Sequence, residues 1–120
     1  MPIQLNEEGG GKILAVKVSG VLARADYAAF VPAFEQLVWR HGKPRVLFDM
    51  NDFHGWEPGA LWEEIKFEAS HLAGIERLAM VGDQQWQEVM AVFSRPFVKA
   101  TIRYFDQEDV AAARHWLAEP

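Results

Sequence analysis

The stretch D-M-N-D-F-H-G-W-E-P-G-A-L-W, residues 49–62, follows a short apolar run at Arg45–Phe48 and leads into a helical pattern of Leu61, Ile65, Ala69 and Leu72. A strand that hands over to a helix in this way belongs to an open α/β sheet, and such sheets bind ligands beyond the carboxyl ends of their strands. The stretch gathers Asp49, Asp52, His54 and Glu57 with Phe53, Trp56 and Trp62 around Gly55, Pro58 and Gly59. It is therefore both the pivot of the fold and the candidate site. Part of it also has a purely structural reading. Glu57 as N-cap, Pro58 as first helical residue and Trp56 packed on Leu61 would start a helix with a hydrophobic staple. The glycines permit a turn, and Asp49 can satisfy loop donors.

Working outward, Gly9–Gly11 predicts a tight turn between a strand near Ile3–Leu5 and a stronger one at Ile13–Ser19, so a hairpin opens the domain. Asp26 is a cap for a helix with Tyr27, Phe30, Phe34, Leu37 and Val38 on one face; Pro32 should kink or restart it, and Gly42 and Pro44 end it. A strand at Arg45–Met50 precedes the quoted stretch, and Gly74 stops the helix after it. Arg77–Val81 reads as a further strand, and Trp86, Val89, Met90 and Phe93 form a helical stripe closed by Pro96. At Thr101–Phe105, Thr101 and Arg103 share one face and Ile102 and Tyr104 the other, the pattern of an edge strand. Asp106 and Asp109 then start a last helix carrying Val110, Ala113, Trp116 and Leu117. The order β-β-α-β-α-β-α-β-α implies one α/β domain over residues 1–120. It would hold a mostly parallel sheet of about five strands, an antiparallel first strand and four helices.

A chain of 120 residues is long enough for one domain to bury roughly two-thirds of its unfolded surface. Twelve Lys and Arg against 17 Asp and Glu, net -5, disfavour nucleic acid as a partner, because phosphate recognition rests on clustered positive charge. The amino terminus lacks a basic region followed by an apolar core, and no run reaches the roughly 18 apolar residues of a membrane span; a cytoplasmic location is expected. With no cysteine there is no disulfide, thiolate catalysis or thiolate metal site.

Four segments carry a resemblance: D-Y-A-A-F-V-P-A-F-E in the first helix, D-F-H-G-W-E-P-G-A-L-W, R-L-A-M-V-G-D-Q-Q-W, and the terminal R-Y-F-D followed by A-A-A-R-H-W-L. Through them the chain resembles, nearly end to end, the SpoIIAA-like bacterial proteins, relatives of the STAS domain of anti-sigma factor antagonists. The resemblance implies a STAS-like α/β fold and a binding or regulatory role. In those antagonists a phosphorylatable serine in a D-S-S-G motif follows the corresponding strand. Here residues 49–62 contain no Ser, Thr or Tyr, so that switch does not carry over, and Asp52 stands near the serine position.

The residues themselves offer a non-enzymatic binding site for a protein partner or an amphipathic small molecule. Phe53, Trp56 and Trp62 would supply contact area, while Asp52, His54 and Glu57 orient a polar end. The alternative is a small hydrolase or lyase using His54 with Asp52 or Glu57, although no activated nucleophile and no G-x-S-x-G elbow is present. No metal or other cofactor is expected, since the spacing of D-M-N-D-F-H-G does not match a calcium loop. His41, His71 and His115 are placed on solvent or interface faces of helices. Most of the tryptophans, Trp39, Trp56, Trp62, Trp86 and Trp116, are expected in the core. Phe67 points away from the stripe of its helix and, one turn from Trp62, suggests a homodimer contact. A dimeric mass by light scattering at high protein concentration is expected; a strictly monomeric mass would remove this role from Phe67.

Overall fold

The computed structural model describes residues 3–50, 53–59, 63, 75–82 and 101–119. Seven strands stand among the described residues: β1 (Ile3–Glu8), β2 (Ile13–Val18), β3 (Gly20–Leu22), β4 (Arg45–Asp49), β5 (Phe53–Trp56), β6 (Arg77–Gly82) and β7 (Thr101–Asp106). Two helices stand among the described residues, α1 (Arg24–His41) and α2 (Val110–Ala118). The main sheet has five strands in the order β1-β2-β4-β6-β7, and β3 pairs with β5 in a second, two-stranded sheet. Only β1 runs antiparallel to its neighbour in the main sheet; β2, β4, β6 and β7 are parallel.

Alternation along the strands divides the residues between two cores. Leu14, Val46, Leu78 and Ile102 form one row in register across the four parallel strands. They pack with Tyr27, Phe30 and Phe34 of α1. The next positions along, Leu47 and Ala79, face the other way and join Ala113 and Leu117 of α2. The sheet is thus covered on both sides, and every residue of β6 after Arg77 is buried.

α1 bears out the expected stripe, with Tyr27, Phe30 and Phe34 buried and Leu37 and Val38 packed against them. Its start differs from the expectation. The helix begins at Arg24 after Ala23, and Asp26 lies three residues into it rather than at the cap. From there its Oδ2 accepts the Ala23 backbone N–H at 2.7 Å, half of a capping box, because a carboxylate at this position reaches back to an orphan donor. Pro32 does not restart the helix; it lies on the exposed side of a continuous 18-residue α1. At the far end the Gly42 N–H donates to the Val38 carbonyl at 2.8 Å.

The expected order β-β-α-β-α-β-α-β-α is corrected at β3 and β5. Strands of three and four residues are too short to show a period of two, and each contains a glycine, so composition alone reads them as turns. Of the four helices expected, two, α1 and α2, stand among the described residues. The helix read after Glu57 enters them at Pro58, Gly59 and Glu63, while the rest of it and the Trp86–Phe93 helix lie outside. The last helix is also corrected: Asp106 precedes a 3-10 turn, Gln107–Asp109, and neither Asp106 nor Asp109 makes a side-chain cap bond. β7 forms the edge of the sheet, as its alternation implied.

α2 is fastened through its carboxyl end. Arg45 and Arg77, neighbours in register at the starts of β4 and β6, both face it. The Arg45 guanidinium donates to the carbonyls of Leu117, at 2.7 Å, and Glu119; Arg77 donates to those of Trp116 and Glu119, at 2.7 and 3.0 Å. Cations there complement the negative end of the helix dipole and help to satisfy its last carbonyls, of which that of Trp116 also accepts the Glu119 N–H at 3.3 Å. Trp116 also receives the guanidinium groups of Arg77 and Arg103 over its ring, at 5.5 and 5.3 Å.

Trp39 departs from the expected core placement and is 88% exposed on α1. The Phe34 ring, 2% exposed, closes the core beneath α1. Phe34→Ala is expected to destabilise the fold by about 3–5 kcal/mol, seen as a lower urea midpoint at unchanged slope.

Candidate functional site

The quoted stretch begins where the main sheet ends. β4 finishes at Asp49, and the Met50 backbone N–H adds one more bond to β6, donating to the Val81 carbonyl at 2.6 Å. β2 likewise stops at Val18, and β3 starts after Ser19. β3 and β5 then resume parallel pairing, so they continue the paths of β2 and β4 past a break and form a ledge beyond the carboxyl edge. The Glu57 N–H donates to the Leu22 carbonyl at 2.8 Å and carries the ladder to the threshold of the helix at Pro58.

The ledge is irregular at one point. Gly20 pairs with Phe53 and Val21 with Gly55, so His54 is the extra residue of a β-bulge. In a regular strand Phe53 and Trp56 would face opposite ways. The inserted residue rephases the strand, and the two rings meet edge to face with centroids 4.9 Å apart. Gly55, at φ 123, supplies a backbone conformation that a side chain at this position would strain. The bulge therefore turns His54 outward while drawing Trp56 down over the buried Phe53.

Trp56 is held from a second direction by α1, its indole Nε1–H donating to the Tyr27 hydroxyl at 2.8 Å. Sequence reasoning placed Tyr27 in the core for its ring alone; the missed signal was its hydroxyl, which needs a partner when the ring is buried. Arg24 also belongs here. Its guanidinium lies near Gly59 and its Nε is 3.6 Å from Glu63, so the first turn of α1 reaches the helix that follows the ledge.

Of the residues singled out from the sequence, the structure brings together Phe53, His54, Trp56 and Glu57. Phe53 is 1% exposed and serves as the floor, whereas His54 and Glu57 are exposed and Trp56 is half-buried between them. Asp52, Trp62 and Phe67 lie outside the described residues, as does Leu61, the expected packing partner of Trp56. Among the described residues His54 meets no carboxylate, and no group of three His, Asp or Glu side chains is arranged to hold a metal. The arrangement offers an aromatic face in a fixed orientation with a hydrogen-bonding group on either side.

The comparisons with known proteins fit this geometry. A family model described as SpoIIAA-like matches residues 13–118, spanning β2 to the end of α2. The chain belongs to the SpoIIAA-like family. A crystal structure of an uncharacterised DUF3478-family protein with a SpoIIAA-like fold, from Shewanella loihica PV-4, is similar to this SpoIIAA-like chain at 26% identity and a TM-score of 0.81. The match covers 97% of this chain and 92% of that one. No curated protein matches. Among the described residues no helix is long and apolar enough to cross a membrane.

The Tyr27–Trp56 bond can be removed with little change in volume. Tyr27→Phe in this SpoIIAA-like domain is expected to cost about 1 kcal/mol in urea unfolding, with β3–β5 amides losing hydrogen-exchange protection before those of β2 and β4. Equal protection in the two sheets would show that the ledge does not depend on this bond.

Proposed function

We propose that this SpoIIAA-like domain is a non-enzymatic STAS-like binding or regulatory module that contacts a protein partner or an amphipathic small molecule at the ledge. Asp52, Phe53, His54, Trp56, Glu57 and Trp62 form the contact, Phe53 from beneath, and no serine phosphoswitch operates. The observation that carries this reading is the bulge at His54, which exposes an imidazole beside a half-buried indole pinned by Tyr27 and Phe53. An indole already fixed in place loses little side-chain entropy on binding, so its apolar face contributes area efficiently. His54 and Glu57 flank it with exposed polar groups that can fix the orientation of a ligand. Self-association through Phe67 belongs to the same proposal, with the helix after the ledge as the dimer contact.

Native mass spectrometry of freshly purified chain is expected to show a retained small molecule or a protein complex, and the mass distinguishes the two. His54→Ala and Trp56→Phe should each lower its occupancy about tenfold, the loss of about 1.4 kcal/mol of contact, while leaving the chain folded. Unchanged occupancy in both variants would place the contact elsewhere.

A further inference from the structure

At the opposite edge of the sheet from the ledge lies a cleft of about 620 Å³. It is bounded by the Gly9–Gly11 turn, Lys12, Lys43, Arg45, Glu76 and the carboxyl end of α2 around Glu119. That volume is within the ordinary range of small-molecule sites. Four of the chain's 12 Lys and Arg residues, Lys12, Lys43, Arg45 and Arg77, stand at this one edge, in a protein whose overall charge is -5.

The fold uses two of these cations. Arg45 and Arg77 give their guanidinium groups to the last carbonyls of α2. Arg45 also holds Glu76, with contacts at 3.3 and 3.4 Å. That hydrogen bond, then the charge of Arg45, keeps the Glu76 carboxyl below its usual pKa. The Glu76 carboxylate is thereby answered from within. Lys12 and Lys43 remain: both are exposed, and neither ammonium has a hydrogen-bond or ion-pair partner among the described residues. Beside them the hairpin turn has three successive glycines, all at positive φ of 61, 71 and 94. The turn conformation demands glycine, and as a result this wall carries no side chain to keep a ligand from the backbone.

We infer that the cleft between the Gly9–Gly11 turn and the end of α2 binds a small molecule through a dianionic head, a phosphate monoester or a dicarboxylate. Two ammonium groups that no hydrogen bond among the described residues holds match a charge of -2, although Lys43 also acts at longer range on Glu76, and charge-assisted bonds of this kind are the stronger class. The Glu119 carboxylate and the negative end of the α2 dipole on the same wall oppose the anion and limit affinity.

The test is an amide chemical-shift titration of the full chain at constant ionic strength with phenyl phosphate, with succinate and with chloride. Saturable shifts at Gly9, Gly10, Gly11 and Lys12 are expected with phenyl phosphate or succinate and not with chloride, and the responding probe identifies the source of the dianion. Lys12→Gln and Lys43→Gln should each weaken binding about tenfold, whereas Glu119→Gln should tighten it, a sign that a folding defect would not produce. No saturation with either dianion, or equal affinity in the lysine variants, would overturn the proposal. A failure at this edge leaves the ledge untouched, since the two sites share no residue.

Discussion

A parallel sheet covered on both faces has to supply two cores from one set of strands, and the rest of this protein is arranged around that requirement. Leu14, Val46, Leu78 and Ile102 lie in one row beneath α1, while Leu47 and Ala79, one residue further along, lie against α2. A slip of one residue in any pair would exchange the faces and present the wrong set to each helix. Register is therefore fixed by burial, and with it the position of both edges of the sheet. Side chains at the starts and ends of the strands are carried to definite places although no core packing acts on them directly.

The carboxyl edge makes use of this in an unusual way. Pairing of β2 with β4 stops, and pairing of β3 with β5 takes over beyond Ser19 and residues 50–52. The continuation has the local freedom that the main sheet lacks. A bulge at His54 would be intolerable in β6, where each residue after Arg77 is buried, but on the ledge it reorients two side chains at once. Anchoring then comes from outside the strand: Tyr27 holds Trp56 from α1, and Arg24 reaches Glu63. The exposed chemistry of the SpoIIAA-like ledge rests on residues that belong to the first helix.

The amino edge solves a different problem. Arg45 and Arg77 are aligned in register, and like charges directly across a pair of strands repel. The carbonyls ending α2 and the carboxylate of Glu76 relieve that repulsion and, in the same contacts, dock the helix. Arg114, held by Glu8 at 3.0 Å, ties the middle of α2 to the end of β1. Its guanidinium binds its proton more tightly than usual, chiefly through that hydrogen bond. Position of the terminal helix is thus set by arginines spread from residue 45 to residue 114, a dependence with no local signature in the chain.

Short apolar runs bounded by turn residues, alternation at Thr101–Phe105 and helical spacing by themselves determined the five strands of the main sheet, the apolar stripes of α1 and α2, and the edge position of β7. These features depend on burial repeated over many residues, and repetition is what a sequence records. The start of a helix at Pro58 was legible for the same kind of reason, since proline favours the first helical position. Only the tertiary structure decided that Phe53–Trp56 is a strand, that His54 is a bulge residue, that Trp56 rests on Phe53 and Tyr27, and that Trp39 stands in solvent. A ledge of three paired positions exists because β2 and β4 deliver their ends side by side, and the pairing of Gly20, Val21 and Leu22 with partners more than 30 residues away leaves no periodic trace. Local chemistry writes itself into neighbouring residues; the direction in which one histidine faces was settled by which distant strand its neighbours met.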